Sequence, residues 1–313
     1  MKAHVRSMAA ERQSSSRGDR LKQLRAFCHA ARLGSITRAA EYIFSSQPAV
    51  SQQVRALEDE LALALFDRRG PRIALTPAGE RLYEMAMPVV VGMDRLPDTF
   101  AEQFRGEISG DFQLAAGRAT AAYVVPRYLR LFREQFPDIR VNVRTGTGLE
   151  RLSWLRAYEV DIAFGAMDVV PPDLDFHKIF SSRNLLITPV DHPLAGREDV
   201  DIREAGRYPA VVHRSTHYIQ QIADFILRQH GVAINVAVEL DGWNVIKRYV
   251  AEGVGISVVP DLCVTERDRL WRIRFDRYFP DRTYGVIMRR NESPPLAAER
   301  FIRIMDPAFR GAA

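Results

Sequence analysis

The sequence predicts a chain in two parts: an N-terminal all-α winged helix-turn-helix continued by a long linker helix, and a C-terminal α/β region folded as two lobes around a cleft. Three observations carry this. Residues 46–61 read as a helix with separate apolar and polar faces, and two short helical patterns precede it. Residues 76–106 form one long, apolar-rich helical run. From Gly110 onward, short apolar runs alternate with helical patterns, the texture of a sheet with mostly right-handed crossovers.

In chain order, residues 1–20 are polar and Ser/Arg-rich and are expected to be a disordered tail. Leu21 to Leu33 repeats apolar residues at helical spacing, and Gly34 suits the left-handed position that ends a helix. Ser35 or Ile36 opens a second helix, with Ala39, Ala40 and Ile43 facing inward. The third follows within a few residues, which makes a helix-turn-helix. Ser46 is its N-cap and Pro48 sits in its first turn, where a missing N–H costs little. At 100° per residue, Val50, Val54, Leu57 and Leu61 fall within an arc of about 60° and form the core stripe. Gln47, Pro48, Ser51, Gln52 and Arg55 lie about 120° away, at the end of a recognition helix that enters the major groove.

Leu65-Phe66 and Arg72 to Leu75 can pair as a hairpin with Arg69-Gly70-Pro71 at its tip. Arg68, Arg69 and Arg72 on this wing are placed for phosphate or minor-groove contact. Thr76 caps the linker helix and Pro77 takes its first position. That helix is apolar on more than one side and wants the same helix of a second subunit as partner. Pro88 and Pro97 each remove a backbone hydrogen bond, so a bent helix or two segments are expected.

Expected strands beyond Gly110 are Phe112–Ala116, Val141–Arg144, Val160–Phe164, Leu185–Pro189, Ala210–Val212, Ala233–Leu240, Gly255–Val259, Leu270–Phe275 and Tyr284–Met288. Expected helices are Ala121–Gln135, Leu149–Tyr158, Tyr218–Gln229, Trp243–Ala251 and Pro295–Met305. The domain bounds that follow are 21–77 for the winged helix-turn-helix, 78–106 for the linker and 107–313 for the α/β region. Its first lobe takes 107–180 and 260–313, and its second 181–259.

Charge is unevenly spread. Residues 1–81 hold 14 Lys/Arg against 8 Asp/Glu, a net of +6, while residues 82–106 hold 2 against 4 and the rest 28 against 27. The positive excess sits with the candidate recognition helix, as a nucleic-acid footprint would have it. No apolar run is long enough to span a membrane, and no apolar signal region opens the chain, so a cytoplasmic location is expected. Cys28 and Cys263 are too far apart in sequence to suggest a disulfide framework or a zinc site. His213 and His217 lack a third ligand at metal-binding spacing, the GTG and EGVG pieces are not phosphate or dinucleotide fingerprints, and no nucleophile elbow appears. Neither a metal, a cofactor nor catalysis is expected.

The string LRAFCHAARLGSITRAAEYIFSSQPAVSQQVRALEDELALALFDRRGPRIALTPAG, within residues 21–80, resembles the DNA-binding region of LysR-type transcriptional regulators. Ala39-Ala40, the Ser-Gln-Pro-Ala-Val-Ser start of the third helix, Leu57-Glu58, Leu65-Phe66-x-Arg68 and the Thr-Pro-Ala-Gly that opens the linker stand in the family's order and spacing. The likeness continues through VVPRYLRLFREQFPDIRV, EVDIAFG, DHPLAG and YVAEGVGISVVP. The segment DGWNVIKRYVAEGVG is most similar to the branch containing regulators of cysteine biosynthesis and sulfur assimilation. The resemblance implies a periplasmic-binding-protein-like effector domain, a homodimer or homotetramer on partly palindromic double-stranded DNA, and contact with RNA polymerase. Two positions depart from the pattern. Gln52 replaces a common Arg or Lys and can pair bidentately with adenine. Ala62 replaces a Gly and is expected to alter the turn into the wing.

Candidate DNA contacts are therefore Gln47, Pro48, Ser51, Gln52 and Arg55 at bases or groove, Ser35 and Thr37 at phosphate, and Arg68, Arg69 and Arg72 from the wing. Candidate effector residues lie where strands end and helices begin: Gly117, Arg118 and Thr120 after the first strand, Thr147 and Gly148 after the second, and Arg214, Ser215 and Thr216 from the second lobe, with Trp243 as a wall. Such termini favour an anion, so a small anionic effector such as a sulfur compound or carboxylate is expected. Each residue could equally be a plain helix cap. Two other functions fit the pattern less fully: a solute-binding or enzymatic two-lobed module with an incidental basic N-terminus, and an architectural DNA binder with no effector.

Overall fold

The computed structural model describes residues 20–67, 73–105, 110–214 and 225–311. The tail expected at 1–20 lies almost wholly outside them. The chain divides into two compact units, Met1–Glu107 and Ile108–Ala313.

In the first unit, α1 (residues 20–33) ends at Gly34, whose φ of +62° is the left-handed turn expected. Helix α2 (Ile36–Tyr42) follows, and α3 (Gln47–Leu61) starts behind Ser46, whose hydroxyl accepts from Ala49 N–H at 3.3 Å. Val50, Val54 and Leu57 of α3 are buried with Phe27, Ala39 and Ala40, where small side chains let α2 and α3 approach. Leu61 is a correction to the stripe: it is 40% exposed, because the helix ends there and the chain turns away. The turn is made by Ala62 at φ +52°, with Leu63 N–H bonding back to Glu58 C=O and Ala62 N–H to Asp59 C=O. Alanine here adopts the left-handed conformation that glycine takes at such helix ends, at a cost of about 1–2 kcal/mol.

Strands β1 (Phe66–Asp67) and β2 (Ala74–Leu75) pair antiparallel as the expected hairpin, with Phe66 opposite Leu75. Thr76 then donates its hydroxyl proton to Ala64 C=O and accepts from Gly79 N–H, so one side chain ties the wing to the cap of α4 (Pro77–Arg105). A Cβ on Gly79 would stand 2.1 Å from Leu65 O, which is why glycine sits there. Helix α4 is continuous through Pro88 and Pro97, so two segments do not form. Burial of Met87, Val90 and Val91 beside Pro88 holds the helix across its missing hydrogen bond.

The second unit is α/β. Its larger sheet has strand order β4-β3-β5-β12-β6, from β3 (Gly110–Ala116), β4 (Ile139–Thr145), β5 (Ile162–Ala166), β6 (Leu174–Ser182) and β12 (Arg282–Arg289). β3 runs parallel to β4 and β5, and β12 antiparallel to β5 and β6. Helices α5 (Arg118–Tyr123), α6 (Val125–Gln135), α7 (Gly148–Arg156) and α11 (Leu296–Met305) cover it. Phe112, Phe132, Phe164 and Phe301 centre one core, and Leu155, Ala163 and Ile287 the other. The single helix expected over 121–135 is two, because Pro126 in the first turn of α6 favours a fresh start.

The second lobe has strand order β10-β7-β11, from β7 (Asn184–Thr188), β10 (Ser257–Pro260) and β11 (Trp271–Arg274), and a parallel pair of β8 (Pro209–His213) and β9 (Asn235–Leu240). Helices α8 (Ile202–Ala205), α9 (residues 225–229) and α10 (Trp243–Ala251) surround them. A boundary at residue 260 would place β11 in the first lobe; it pairs with β7 instead, so the chain crosses back between Phe275 and Arg282. Asn184 donates to Pro280 C=O at 2.9 Å, tying the two crossovers together, and Ser182 donates to Asp261, just after β10, at 2.6 Å.

Candidate nucleic-acid interface and ligand cleft

On the first unit, Gln47, Pro48, Gln52 and Arg55 are exposed and Ser51 is half-buried, all on the α3 face opposite its core stripe. Ser35 caps α2 by accepting from Arg38 N–H at 3.3 Å, and Thr37 is exposed two residues on. Arg68, Arg69 and Arg72 lie outside the described residues. Glu58 supplies what the sequence did not explain about Leu57-Glu58. Leu57 enters the core, and the Glu58 carboxylate accepts from Leu65 N–H at 2.9 Å and Phe66 N–H at 3.3 Å. One side chain thereby hangs the wing from the recognition helix.

On the second unit, a cavity of about 1020 Å³ lies between the strand ends. It collects the expected Gly117, Arg118, Thr120, Thr147 and Gly148 from one lobe and Arg214 and Trp243 from the other. Ser215 and Thr216 lie outside the described residues. The hydroxyls are engaged. Thr147 closes a capping box with Glu150, whose carboxylate accepts from Thr147 N–H at 2.8 Å. Thr120, 1% exposed, donates to Gly117 C=O at 2.9 Å.

The cleft also holds residues that the sequence did not single out. Arg151 is 6% exposed, and among the described residues no carboxylate pairs with it. Its Nη1 donates to Phe164 C=O at 2.8 Å, while its buried Nε has no partner. Burial, with the charge of Arg282 added, pulls its pKa down to about 10. A Cβ on Gly165 would stand 2.3 Å from Nη1, so glycine there makes room for the guanidinium. The signal was present: Arg151 stands four residues before Leu155, on the inward stripe of α7. His213 stacks on Trp243 at 4.3 Å and accepts from Gly242 N–H at 3.4 Å. Burial holds it below the usual histidine range, and the charges of Arg282 and Arg118 act in the same sense against an opposing Asp241. Tyr284, also lining the cleft, is pushed up to about 12 by burial.

Cys28 and Cys263 are free and buried, and burial pushes both thiols up to about 12. Among the described residues no three His, Cys, Asp or Glu side chains cluster as a metal site, and no helix is long and apolar enough to cross a membrane.

Residues 21–80 match the model of the bacterial regulatory helix-turn-helix proteins of the lysR family, and residues 105–310 that of the LysR substrate binding domain. The HTH-type transcriptional regulator SsuR of Burkholderia cenocepacia is 30% identical over 283 residues, 89% of this chain and 91% of that protein. CysB of Haemophilus influenzae is 28% identical over 237 residues, 75% of this chain and 73% of that protein. Full-length OxyR from Pseudomonas aeruginosa superposes with a TM-score of 0.73 at 22% identity, over 91% of this chain and 92% of that one, and so shares the fold. With a helix-turn-helix whose recognition face is open, a cleft in the α/β unit, and family models spanning both, the chain belongs to the LysR family of DNA-binding transcriptional regulators with a C-terminal effector-binding domain.

Proposed function

We propose that this regulator reads its operator through Gln47, Pro48, Ser51, Gln52 and Arg55, is anchored on phosphate near Ser35 and Thr37 and by the wing arginines, and is switched by a small anion in the cleft. Residues 21–77 form the DNA-binding domain, 78–106 the linker and 107–313 the effector domain. The observation that carries the anionic part is Arg151, a buried cation that no described carboxylate neutralises and that lines the cleft. A bound oxyanion supplies the missing charge, since an uncompensated buried ion is costly. The segment DGWNVIKRYVAEGVG, through its resemblance to regulators of cysteine biosynthesis and sulfur assimilation, supports a place in that branch. Helix α4 exposes Met85, Val89, Leu96, Phe100 and Phe104, an apolar stripe that supports a homodimer or homotetramer, and contact with RNA polymerase completes the scheme. The test is genomic footprinting, followed by gel shifts on the recovered sites. Sequence-specific shifts altered by an anion are expected; binding indifferent to sequence overturns the proposal.

A further inference from the structure

The effector-binding reading leaves open what kind of anion the cleft accepts, and the two ends of the cavity differ. At one end stands Arg151, cleared by Gly165 and backed by Phe164 C=O. Thr120 donates its hydroxyl to Gly117 C=O, Arg282 stands 3.8 Å from Asp168, and Arg118 and Arg214, which also line the cavity, are exposed, so Arg151 is the buried cation with no described carboxylate. At the other end the cavity reaches the second lobe's apolar core: Leu186, Ile202, Ile256 and Phe275, all buried, line it together with Phe279. A bare inorganic oxyanion occupies a small part of about 1020 Å³ and touches none of that wall.

We propose that the cleft takes an organic oxyanion with an apolar body, its charged group on Arg151 and its body against Ile202, Ile256 and Phe275. This rests on the effector-binding reading above and adds the chemical class. A buried guanidinium discriminates by charge, because an anionic acceptor both pairs Nε and compensates the cation, whereas a neutral acceptor only pairs Nε. The apolar wall discriminates by length, because each buried methylene contributes about 0.8 kcal/mol, close to a fourfold change in affinity.

The experiment is calorimetry and thermal melting of the full-length protein with sodium sulfate, a series from methanesulfonate to octanesulfonate, and the uncharged 1-hexanol. The expected result is affinity rising with chain length toward fourfold per methylene, hexanesulfonate far ahead of both sulfate and 1-hexanol. Arg151→Met should lose at least tenfold for hexanesulfonate and little for 1-hexanol, with Arg151→Lys between them. The Met variant should melt no lower than the parent, since Phe164 C=O keeps Gly117 N–H as a donor and no buried cation remains. Arg151→Gln serves if the Met variant does not fold. Sulfate matching hexanesulfonate would overturn the apolar body and leave the anionic effector standing. Equal binding of 1-hexanol, unmoved by Arg151→Met, would overturn both. No binding by any alkylsulfonate at millimolar concentration would overturn the class proposed here, while the gel shifts test the regulator independently.

Discussion

Ala62 and Gln52 are two positions at which the sequence departs from the pattern it resembles in the DNA-binding unit, and they act through different physics. Ala62 holds φ +52° only because Glu58 and Asp59 C=O bind the turn. Ala62→Gly should therefore raise the stability of the DNA-binding unit by about 1 kcal/mol, read as a higher denaturant midpoint at unchanged slope. A lower midpoint would mean that the methyl group packs usefully. Gln52 is exposed on the recognition face and contributes nothing to the core. Gln52→Ala should leave the melting temperature alone and cost about 1–3 kcal/mol at one base pair of the operator. A competition gel shift with that pair substituted checks it; unchanged preference would remove Gln52 from base reading. Both residues were legible in the sequence, because caps and helical faces follow from local spacing. Arg151 was not singled out: its meaning depends on Gly165 and Phe164, which only the tertiary fold brings beside it.

At the scale of elements, local signals decided most of the outcome and failed where partners did. Helix α10 has the bounds its pattern predicts, and α3 runs from its Ser46 cap to Leu61. Strand β6 was missed although it is nine residues long. It is an edge strand on β12, and a register shift at Tyr284/Gly285 breaks the inside-outside alternation by which strands are recognised. Of the two outcomes expected from Pro88 and Pro97, two separate segments do not form; beside Pro88 the helix is held by burial of Met87, Val90 and Val91, which propensity cannot foresee. The exposed stripe on that helix ends in Phe100 stacked on Phe104 at 5.8 Å. Exposed aromatics along a helix whose opposite side is buried are the mark of an interface. Leu96→Glu with Phe100→Glu should dissociate the oligomer and weaken operator binding while each unit stays folded. Sedimentation velocity alongside circular dichroism separates these effects, and an unchanged sedimentation coefficient would exclude α4 as the interface.

At the scale of the molecule, both units carry ionisable groups whose pairing links stability to pH. Burial raises Asp94, but the His29 hydrogen bond and the Arg25 charge hold it below the usual carboxylate range. Asp268 is likewise raised by burial and held low on balance by Lys247. A carboxylate with a depressed folded pKa contributes stability that is complete above its unfolded value of about 4 and is lost as pH falls through the folded one. His213 acts at higher pH. Burial and the charges of Arg282 and Arg118 depress it, so below its unfolded value of about 6.5 the unfolded chain binds a proton that the folded chain refuses. Stability must then fall as pH drops from 6.5, by at most about 1.4 kcal/mol per pH unit for this one group. Between pH 6.5 and 5 the carboxylates are mostly charged in both states, so most of the decline there belongs to the histidines, of which His192 is also depressed by burial. His213→Gln keeps an acceptor for Gly242 N–H and removes the titration. Its melting temperature should therefore fall less steeply than the parent's over that window. Identical slopes from pH 6.5 to 5 would mean that His213 takes its proton without loss of stability, and that the cleft around Trp243 is open enough to solvate the charge.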